Sequence, residues 1–301
     1  MKNIILTGGS GLIGTSLSTF LSKEGNKVNW LSRKNSKQDY PTYLWNPPTS
    51  DIDIAALTGK EVLIQLAGSN IAGGLWTKKR KKEIIDSRLK AIQTLYLHLK
   101  KHRLHISHII QASAIGYYGN RGSEVINEQS SAGKEGFLTE VCKIWETEAS
   151  CLKEFCDHFT IMRTAFYISP DGGIWPNLIR TKRFGFLLYF GDGSQYYSWI
   201  HYLDFNRAIL FIINQQLDGI INLTAPNPIS NKDFISEINN QLKRNVLQFG
   251  VSASILKLLL GEFSQSVLSS AYVLPGVLME NGFQFQFVKL DVAVKDLLDI
   301  K

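Results

Sequence analysis

The sequence predicts an α/β chain, a doubly wound parallel sheet with a smaller, interwoven C-terminal region. Two observations predict it. The first is the start, where the apolar run Ile4-Ile5-Leu6 is followed by Gly8, Gly9, Gly11 and Gly14. Helix-period Leu12, Ile13, Leu17, Phe20 and Leu21 come next. A buried strand, a glycine-rich turn and a helix in that order form the first unit of a dinucleotide-binding, Rossmann-type fold. The second observation is that strand-like and helix-like segments alternate through about half the chain, as a parallel doubly wound sheet requires.

Element by element, Val28 to Leu31 reads as the second strand, Val62 to Leu66 as another and His108 to Ala112 as the next. A helix over Lys78 to Lys101 carries Ile84, Ile85, Leu89, Ile92, Leu95 and Leu99 at helical spacing. A further helix runs from Phe137 to Phe155, and Phe159 to Arg163 reads as a strand. After Arg163 the alternation breaks down, with turn clusters at Pro170-Asp171-Gly172-Gly173 and Gly191-Asp192-Gly193. Ile220 to Leu223 is read as a late strand of the main sheet, and Asn231 to Leu242 as a helix capped by Ser230 or Asn231. The expected division is residues 1–165 for the dinucleotide-binding domain and 166–301 for a substrate or effector region.

The glycines fit two templates. Gly9, Gly11 and Gly14 match GxGxxG, and Gly8, Gly11 and Gly14 match GxxGxxG. In either, the glycines let the backbone approach a pyrophosphate, and the helix start offers free N–H groups and a positive dipole end. The second strand ends Trp30-Leu31-Ser32-Arg33-Lys34, and no carboxylate follows until Asp39. An acidic residue here would hold the 2′-hydroxyl of NAD and repel the 2′-phosphate of NADP. Arg33 can pair with that phosphate bidentately and Ser32 can donate to it, so the expected cofactor is NADP.

Composition narrows the partners. Hydrophobic content of 44% and charged content of 20% are those of an ordinary globular protein. The net charge of +7 gathers most densely at Lys78-Lys79-Arg80-Lys81-Lys82, read as a solvated helix face. No zinc-finger spacing, RNP-type motif or basic-aromatic repeat accompanies it, so no nucleic-acid partner is expected. Three cysteines without CxxC spacing argue for a reducing compartment and against a metal site. Apolar runs are too short for a signal peptide or a membrane span, so a cytoplasmic protein without a membrane partner is expected. The oligomeric state is not legible.

Further stretches carry a resemblance to a known family. Leu66-Ala67-Gly68, Ala112-Ser113-Ala114-Ile115-Gly116-Tyr117-Tyr118-Gly119 and Ser198-Trp199-Ile200-His201-Tyr202-Leu203-Asp204 are similar to segments of extended short-chain dehydrogenases/reductases. Trp76-Thr77-Lys78-Lys79-Arg80 through Asp86-Ser87-Arg88, Asp171-Gly172-Gly173, Thr224-Ala225-Pro226-Asn227-Pro228 and the ending Leu274-Pro275 through Gly282-Phe283 resemble an atypical, epimerase-like subgroup of that superfamily. The match covers essentially the whole chain. It implies that Thr7, Gly8, Gly11 and Ile13 line the pyrophosphate turn, that Ser32 and Arg33 hold the 2′-phosphate, and that Leu66 and Ala67 cover the adenine-ribose side. It also implies that Glu83 and Arg88 face the cofactor from one helix and that the backbone around Tyr167 meets the nicotinamide. Arg88 stands where extended members usually carry an asparagine.

The superfamily's chemistry rests on a Tyr-x-x-x-Lys pair, in which lysine lowers the tyrosine pKa for proton exchange. Aligned on Trp145-Glu146, those positions fall on Leu138 and Cys142, and Lys143 lies about 100° around the helix. The usual serine position falls on Ala114, with Ser113 one residue earlier. Ser113, Tyr117 and His201 are the remaining acid–base candidates, Tyr117 being the preferred replacement donor. The substrate or effector site is expected at the carboxyl edge of the sheet, bounded by Ser113, Tyr117 and the Trp199-His201 segment. Two functions compete. One is an NADP(H)-dependent oxidoreductase or epimerase-like enzyme acting on a small polar substrate. The other is a non-catalytic NADP(H)-binding regulatory or redox-sensing protein.

Overall fold

The computed structural model describes residues 1–34, 40–243 and 246–299. Its first strand, β1 (Asn3–Thr7), holds Ile4, Ile5 and Leu6 without solvent exposure. An unbroken apolar strand is what a sheet covered on both faces demands. The glycine turn leads into α1 (Leu12–Lys23), which buries Leu17 and Leu21 one turn apart. There follow β2 (Lys27–Ser32), β3 (Thr42–Asn46), β4 (Asp51–Ile52), β5 (Val62–Gln65), α2 (Lys78–His102), β6 (Ile106–Ala114), α3 (Phe137–Ala149), β7 (Cys156–Thr164) and β8 (Gly219–Leu223).

These strands form one sheet in the order β8-β7-β6-β5-β1-β2-β3-β4. Strand β1 pairs parallel with β2 and β5, β2 with β3, and β5 with β6. Strand β4 runs antiparallel to β3. The chain therefore moves outward from β1 through β2, β3 and β4, then resumes on the opposite side with β5. That reversal places the topological switch point between β1 and β5, where ligands of open α/β sheets bind outside the carboxyl ends of the strands.

The α/β doubly wound class expected from the sequence is the class observed, with three local differences. Strands β3 and β4 had no forecast, because Thr42–Asn46 is largely exposed and carries one buried residue, Trp45. The helix expected over Phe137 to Phe155 ends at Ala149 and continues as a 3₁₀ segment over Ser150–Phe155. The helix expected to reach Leu242 spans Asn231–Asn240, capped by Ser230, which accepts from the Asp233 N–H at 3.1 Å.

The chain divides into two compact units, interleaved rather than cut once near residue 165. Unit 1 comprises residues 1–113, 141–162 and 206–220, and unit 2 comprises 114–140, 163–205 and 221–301. The loop after β6 and the long excursion after β7 go to unit 2, and the chain returns to unit 1 before β8. Unit 1 is built on a core that includes Ile5, Leu31, Trp45, Leu63, Leu95 and Trp145. Unit 2 has its own core, which includes Trp175, Tyr197, Trp199, Phe234, Phe287 and Val294. Among the described residues no helix is long and apolar enough to cross a membrane.

Candidate functional site

The turn between β1 and α1 gives each of its four glycines a separate task, so both templates apply. Gly8 has φ +68°, and a Cβ there would lie 3.1–3.2 Å from the backbone of Leu66 and Ala67. A Cβ on Gly9 would meet the Trp30 ring at 2.5 Å, and one on Gly14 would meet the Gly8 carbonyl oxygen at 2.3 Å. Gly11 is the exposed N-cap of α1, where no side chain caps the helix and no acidic residue sits in the first turn. Backbone N–H groups and an uncompensated positive dipole end therefore face outward beside the switch point. A pyrophosphate fits this cradle in both charge and bulk. Ile13 is half-buried in the same first turn.

Beneath the turn lies a polar row with no solvent exposure, in which Thr7 of β1 is in register with Gln65 of β5, and Gln65 with Gln111 of β6. Thr7 Oγ1 donates to Gln65 Oε1 and accepts the N–H groups of Leu66 and Ala67, each at 3.0 Å. Those two N–H groups are committed to holding the ends of β1 and β5 together. At the end of β2, Ser32 is half-buried and the Arg33 side chain is exposed. Ser32 Oγ accepts from the Lys34 N–H at 3.3 Å. Asp39 lies outside the described residues.

Helix α2 fastens the loop that follows β5. Thr77 caps the helix by accepting from the Arg80 N–H at 3.2 Å. Glu83 pairs with Arg80 at 2.8 Å and accepts from Ser69 Oγ at 3.2 Å, and the Arg80 guanidinium holds its carboxyl below the usual range. Ser87 Oγ accepts from the Ser69 N–H, and Arg88 Nη1 donates to the carbonyls of Ser69 and Ile84. Arg88 is buried, with its guanidinium carbon 4.6 Å from the centroid of the Trp145 ring. Burial pushes its pKa down to about 10, so it remains a cation at neutral pH.

On α3, Cys142 is buried, Leu138 is half-buried and Lys143 is exposed. None of the three offers a fixed cation beside a phenol. Ser113, near the carboxyl end of β6, instead donates to Glu146 Oε1 at 2.6 Å, and both residues are buried.

Unit 2 holds the remaining candidates. The Arg163 guanidinium carbon sits 3.4 Å from the Tyr117 ring centroid and 4.9 Å from that of Tyr118. Tyr118 is buried, donates to Asn222 Oδ1 at 2.8 Å, and has its pKa raised by desolvation. Tyr167 lies in the strand Phe166–Ser169, in register with Ile200, and meets Phe205 edge-on at 5.4 Å. His201 has no exposed surface and its ring lies 3.7 Å from that of Phe287. Burial lowers its pKa to about 3 despite Asp296 at 3.3 Å, so the imidazole is a neutral core group.

The rest of the Ser198–Asp204 stretch anchors the C-terminal segment. Ser198 Oγ donates to the Ala271 carbonyl at 2.8 Å and accepts from the Val273 N–H at 2.9 Å. The buried Asp204 carboxylate accepts the N–H groups of Gln286 and Phe287 at 2.9 and 2.8 Å. Trp199 Nε1 donates to the Asn227 carbonyl at 3.1 Å.

The sequence profile of the NAD dependent epimerase/dehydratase family matches residues 4–224. This chain belongs to that family. Residues 251–297 match a domain of unknown function, DUF1731. Among curated relatives, the epimerase family protein Mb2239 of Mycobacterium bovis is 32% identical over 284 residues, covering 94% of this chain and 93% of its own length. The epimerase family protein YfhF of Bacillus subtilis is 30% identical over 299 residues, covering 98% of each chain. The solved human epimerase family protein SDR39U1 (isoform 2) with NADPH superposes with a TM-score of 0.88 at 22% identity, over 99% of this chain and 100% of that one. A nucleoside-diphosphate sugar epimerase from Corynebacterium glutamicum superposes with a TM-score of 0.77 at 28% identity, over 99% of this chain and 58% of that one.

In this epimerase-family chain, unit 1 gathers Thr7, Gly8, Gly11, Ile13, Ser32, Arg33, Leu66, Ala67, Glu83, Arg88 and Ser113, while Tyr117, Tyr167 and His201 belong to unit 2. Sequence reasoning passed over Glu146 and Arg80. Glu146 follows Cys142 by four residues, so it shares that residue's helix face, and this spacing was the available signal. Arg80 was hidden inside a basic run read as solvated.

Proposed function

We propose that this protein is an NADP(H)-dependent oxidoreductase or epimerase-like enzyme acting on a small polar substrate. One observation carries the cofactor choice: β2 ends in Ser32 followed by an exposed Arg33, with no carboxylate between Lys27 and Lys34. A guanidinium there pairs bidentately with a 2′-phosphate, whereas a bare 2′-hydroxyl offers it only a single hydrogen bond without opposite charge. The relative solved with NADPH supports the same reading. Gly8, Gly11 and the start of α1 would hold the pyrophosphate. Ser32 and Arg33 would hold the 2′-phosphate, and the carbonyl side of Leu66 and Ala67 would border the adenosine half. Glu83 and Arg88 serve by fixing the loop after β5. When bound, the nicotinamide supplies hydride transfer. Ser113 and Tyr117 are the hydroxyls proposed to handle substrate, and His201, packed on Phe287, is left to the core.

A second reading is a non-catalytic NADP(H)-binding regulatory or redox-sensing protein, favoured by Leu138 and Cys142 in the positions of the tyrosine and lysine. In both readings the protein works in the cytoplasm on a small molecule, without nucleic-acid partners or a membrane span. NADPH oxidation against a panel of sugars, quinones and other carbonyl compounds separates the two. The enzyme reading expects turnover with at least one class, and a substantial loss in Tyr117→Phe. Tight NADPH binding without turnover across the panel favours the regulatory reading.

A further inference from the structure

A small sheet in unit 2 departs from the usual alternation of a strand with one wet face. The strand Phe186–Phe190 pairs in parallel with the strand Leu247–Val251, Phe186 opposite Leu247 and Leu188 opposite Phe249. Leu187, between Phe186 and Leu188, is fully buried in the core of unit 2. Its neighbours point the other way, where a half-covered sheet ordinarily places polar side chains. Here the outer face is Phe186, Leu188, Leu247 and Phe249, and Leu247 is 67% exposed. The Phe186 ring lies 6.2 Å from that of Phe249 and 6.4 Å from that of Phe184, itself 64% exposed.

The helix Ala253–Leu260 follows after one residue, Ser252, whose hydroxyl caps it by accepting from the Ile255 N–H at 3.4 Å. Leu256 is its one buried residue. Ile255, Leu258 and Leu259 stand at i, i+3 and i+4 and so share a face, and all three are exposed, Leu258 by 85%. A helix folded on a core hides such a stripe, and this one presents it to water. Charge follows the same segments. Residues 172–191 and 238–261, which contain both strands and the helix, carry six Lys or Arg and no Asp or Glu. They account for six of the seven net positive charges of the chain. Arg180, Lys182, Arg183, Lys243 and Lys257 are exposed, and the Arg183 guanidinium carbon lies 4.7 Å from the centroid of the Phe184 ring.

We propose that this face of unit 2 docks the protein on the surface of anionic lipid membranes. Phe and Leu side chains enter the headgroup–acyl boundary while Lys and Arg meet the lipid phosphates. A second copy of the chain meeting this face with its own would set cations against cations, which disfavours self-association here. Short apolar runs exclude a membrane span, whereas a surface assembled from two strands and a helix needs no long run. The membrane expectation drawn from the sequence therefore narrows to the lack of a span.

Co-sedimentation of the full chain with vesicles tests this without nucleotide or substrate, so its failure leaves the cofactor reading standing. Vesicles of phosphatidylglycerol and phosphatidylcholine in equal parts should retain the protein at least about tenfold more strongly than phosphatidylcholine alone. Raising NaCl from about 0.05 M to about 0.5 M should weaken that binding about tenfold. Leu258→Ser combined with Leu259→Ser alters exposed side chains only, so circular dichroism should stay parental while retention falls about tenfold or more. Lys182→Glu combined with Arg183→Glu should remove most of the preference for the anionic vesicles. Val292→Ser, at an exposed apolar position on the helix Leu290–Asp299, should bind as the parent does. Equal retention by both vesicle types, retention by neither, or unchanged binding in the folded double-serine protein overturns the proposal. So does a parental dimer, seen by sedimentation equilibrium, that becomes monomeric in the double-serine protein, because the face would then belong to a second copy.

Discussion

The glycine turn of unit 1 and the Ser198–Asp204 stretch of unit 2 treat the backbone in opposite ways. In the turn, side chains are absent where they would cap or block, and α1 begins at Gly11 with no capping hydrogen bond. In the other stretch, Ser198, Trp199 and Asp204 use side chains to satisfy N–H and carbonyl groups of distant segments. Both stretches lie within the segment matched by the family, yet one leaves the N–H groups of a helix start uncapped and the other holds a chain end. A dense motif marks a constrained place, and the state of its hydrogen-bonding groups tells whether the constraint serves a ligand or the fold.

The largest effect should come from closing the turn. In Gly14→Ala the new Cβ lies 2.3 Å from the Gly8 oxygen and 2.7 Å from the Gly9 backbone, so α1 must shift away from β1. NADPH affinity should fall about 100-fold or more, with a lowered melting temperature, as read by fluorescence titration and thermal unfolding. Parental affinity would break the contrast, because the turn would then not be the binding element.

Removing an anchor should cost stability instead. Asp204→Ala leaves the buried N–H of Phe287 and the part-buried N–H of Gln286 without their acceptor, a loss of about 2–4 kcal/mol in urea unfolding. Protein that remains folded should keep NADPH affinity within about threefold. A collapse of NADPH binding in the folded protein would make this stretch part of the ligand site.

A smaller effect is set by pH. Burial lowers the pKa of His201 to about 3 and that of His108 to about 4, so both are neutral in the folded protein. The unfolded imidazole titrates at about 6.5, so below that pH the unfolded chain binds protons that the native chain does not. Stability should be level above pH 7 and fall as the pH drops from about 6.5 toward 4, by up to about 1.4 kcal/mol per pH unit for each histidine. Urea midpoints of His201→Leu at pH 7, 6 and 5 should show a shallower fall than the parent. An equal fall would mean that this imidazole takes up a proton in the folded state.

The first β-α-β unit was legible because a fully buried strand forces an apolar run and a close backbone approach forces glycines. Both leave marks in local sequence. Strand β3, which lies between β2 and the two-residue edge strand β4, was not legible, since Trp45 is the one buried residue among its five and alone records its place in the sheet. The end of α3 was misjudged because Leu152 and Phe155 continue the apolar pattern while the backbone tightens to a 3₁₀ segment. At the site, Gly8, Gly11, Ser32 and Arg33 could be named because their spacing is local. The roles of Glu146, Asp204 and Arg80 depend on residues 33, 82 and 10 positions away, respectively. His201 stood among the acid–base candidates, and its burial against Phe287, distant in sequence, left no local mark.

The proposed NADP selectivity of unit 1 rests on the glycine turn and the end of β2. Parallel fluorescence titrations of NADPH and NADH, on the parent and on Arg33→Asp, test it most directly. The parent should bind NADPH at least about tenfold more tightly than NADH, or about 1.4 kcal/mol, and Arg33→Asp should abolish or invert that preference. Equal affinities in the parent, or a preference for NADPH that survives Arg33→Asp, would contradict the account.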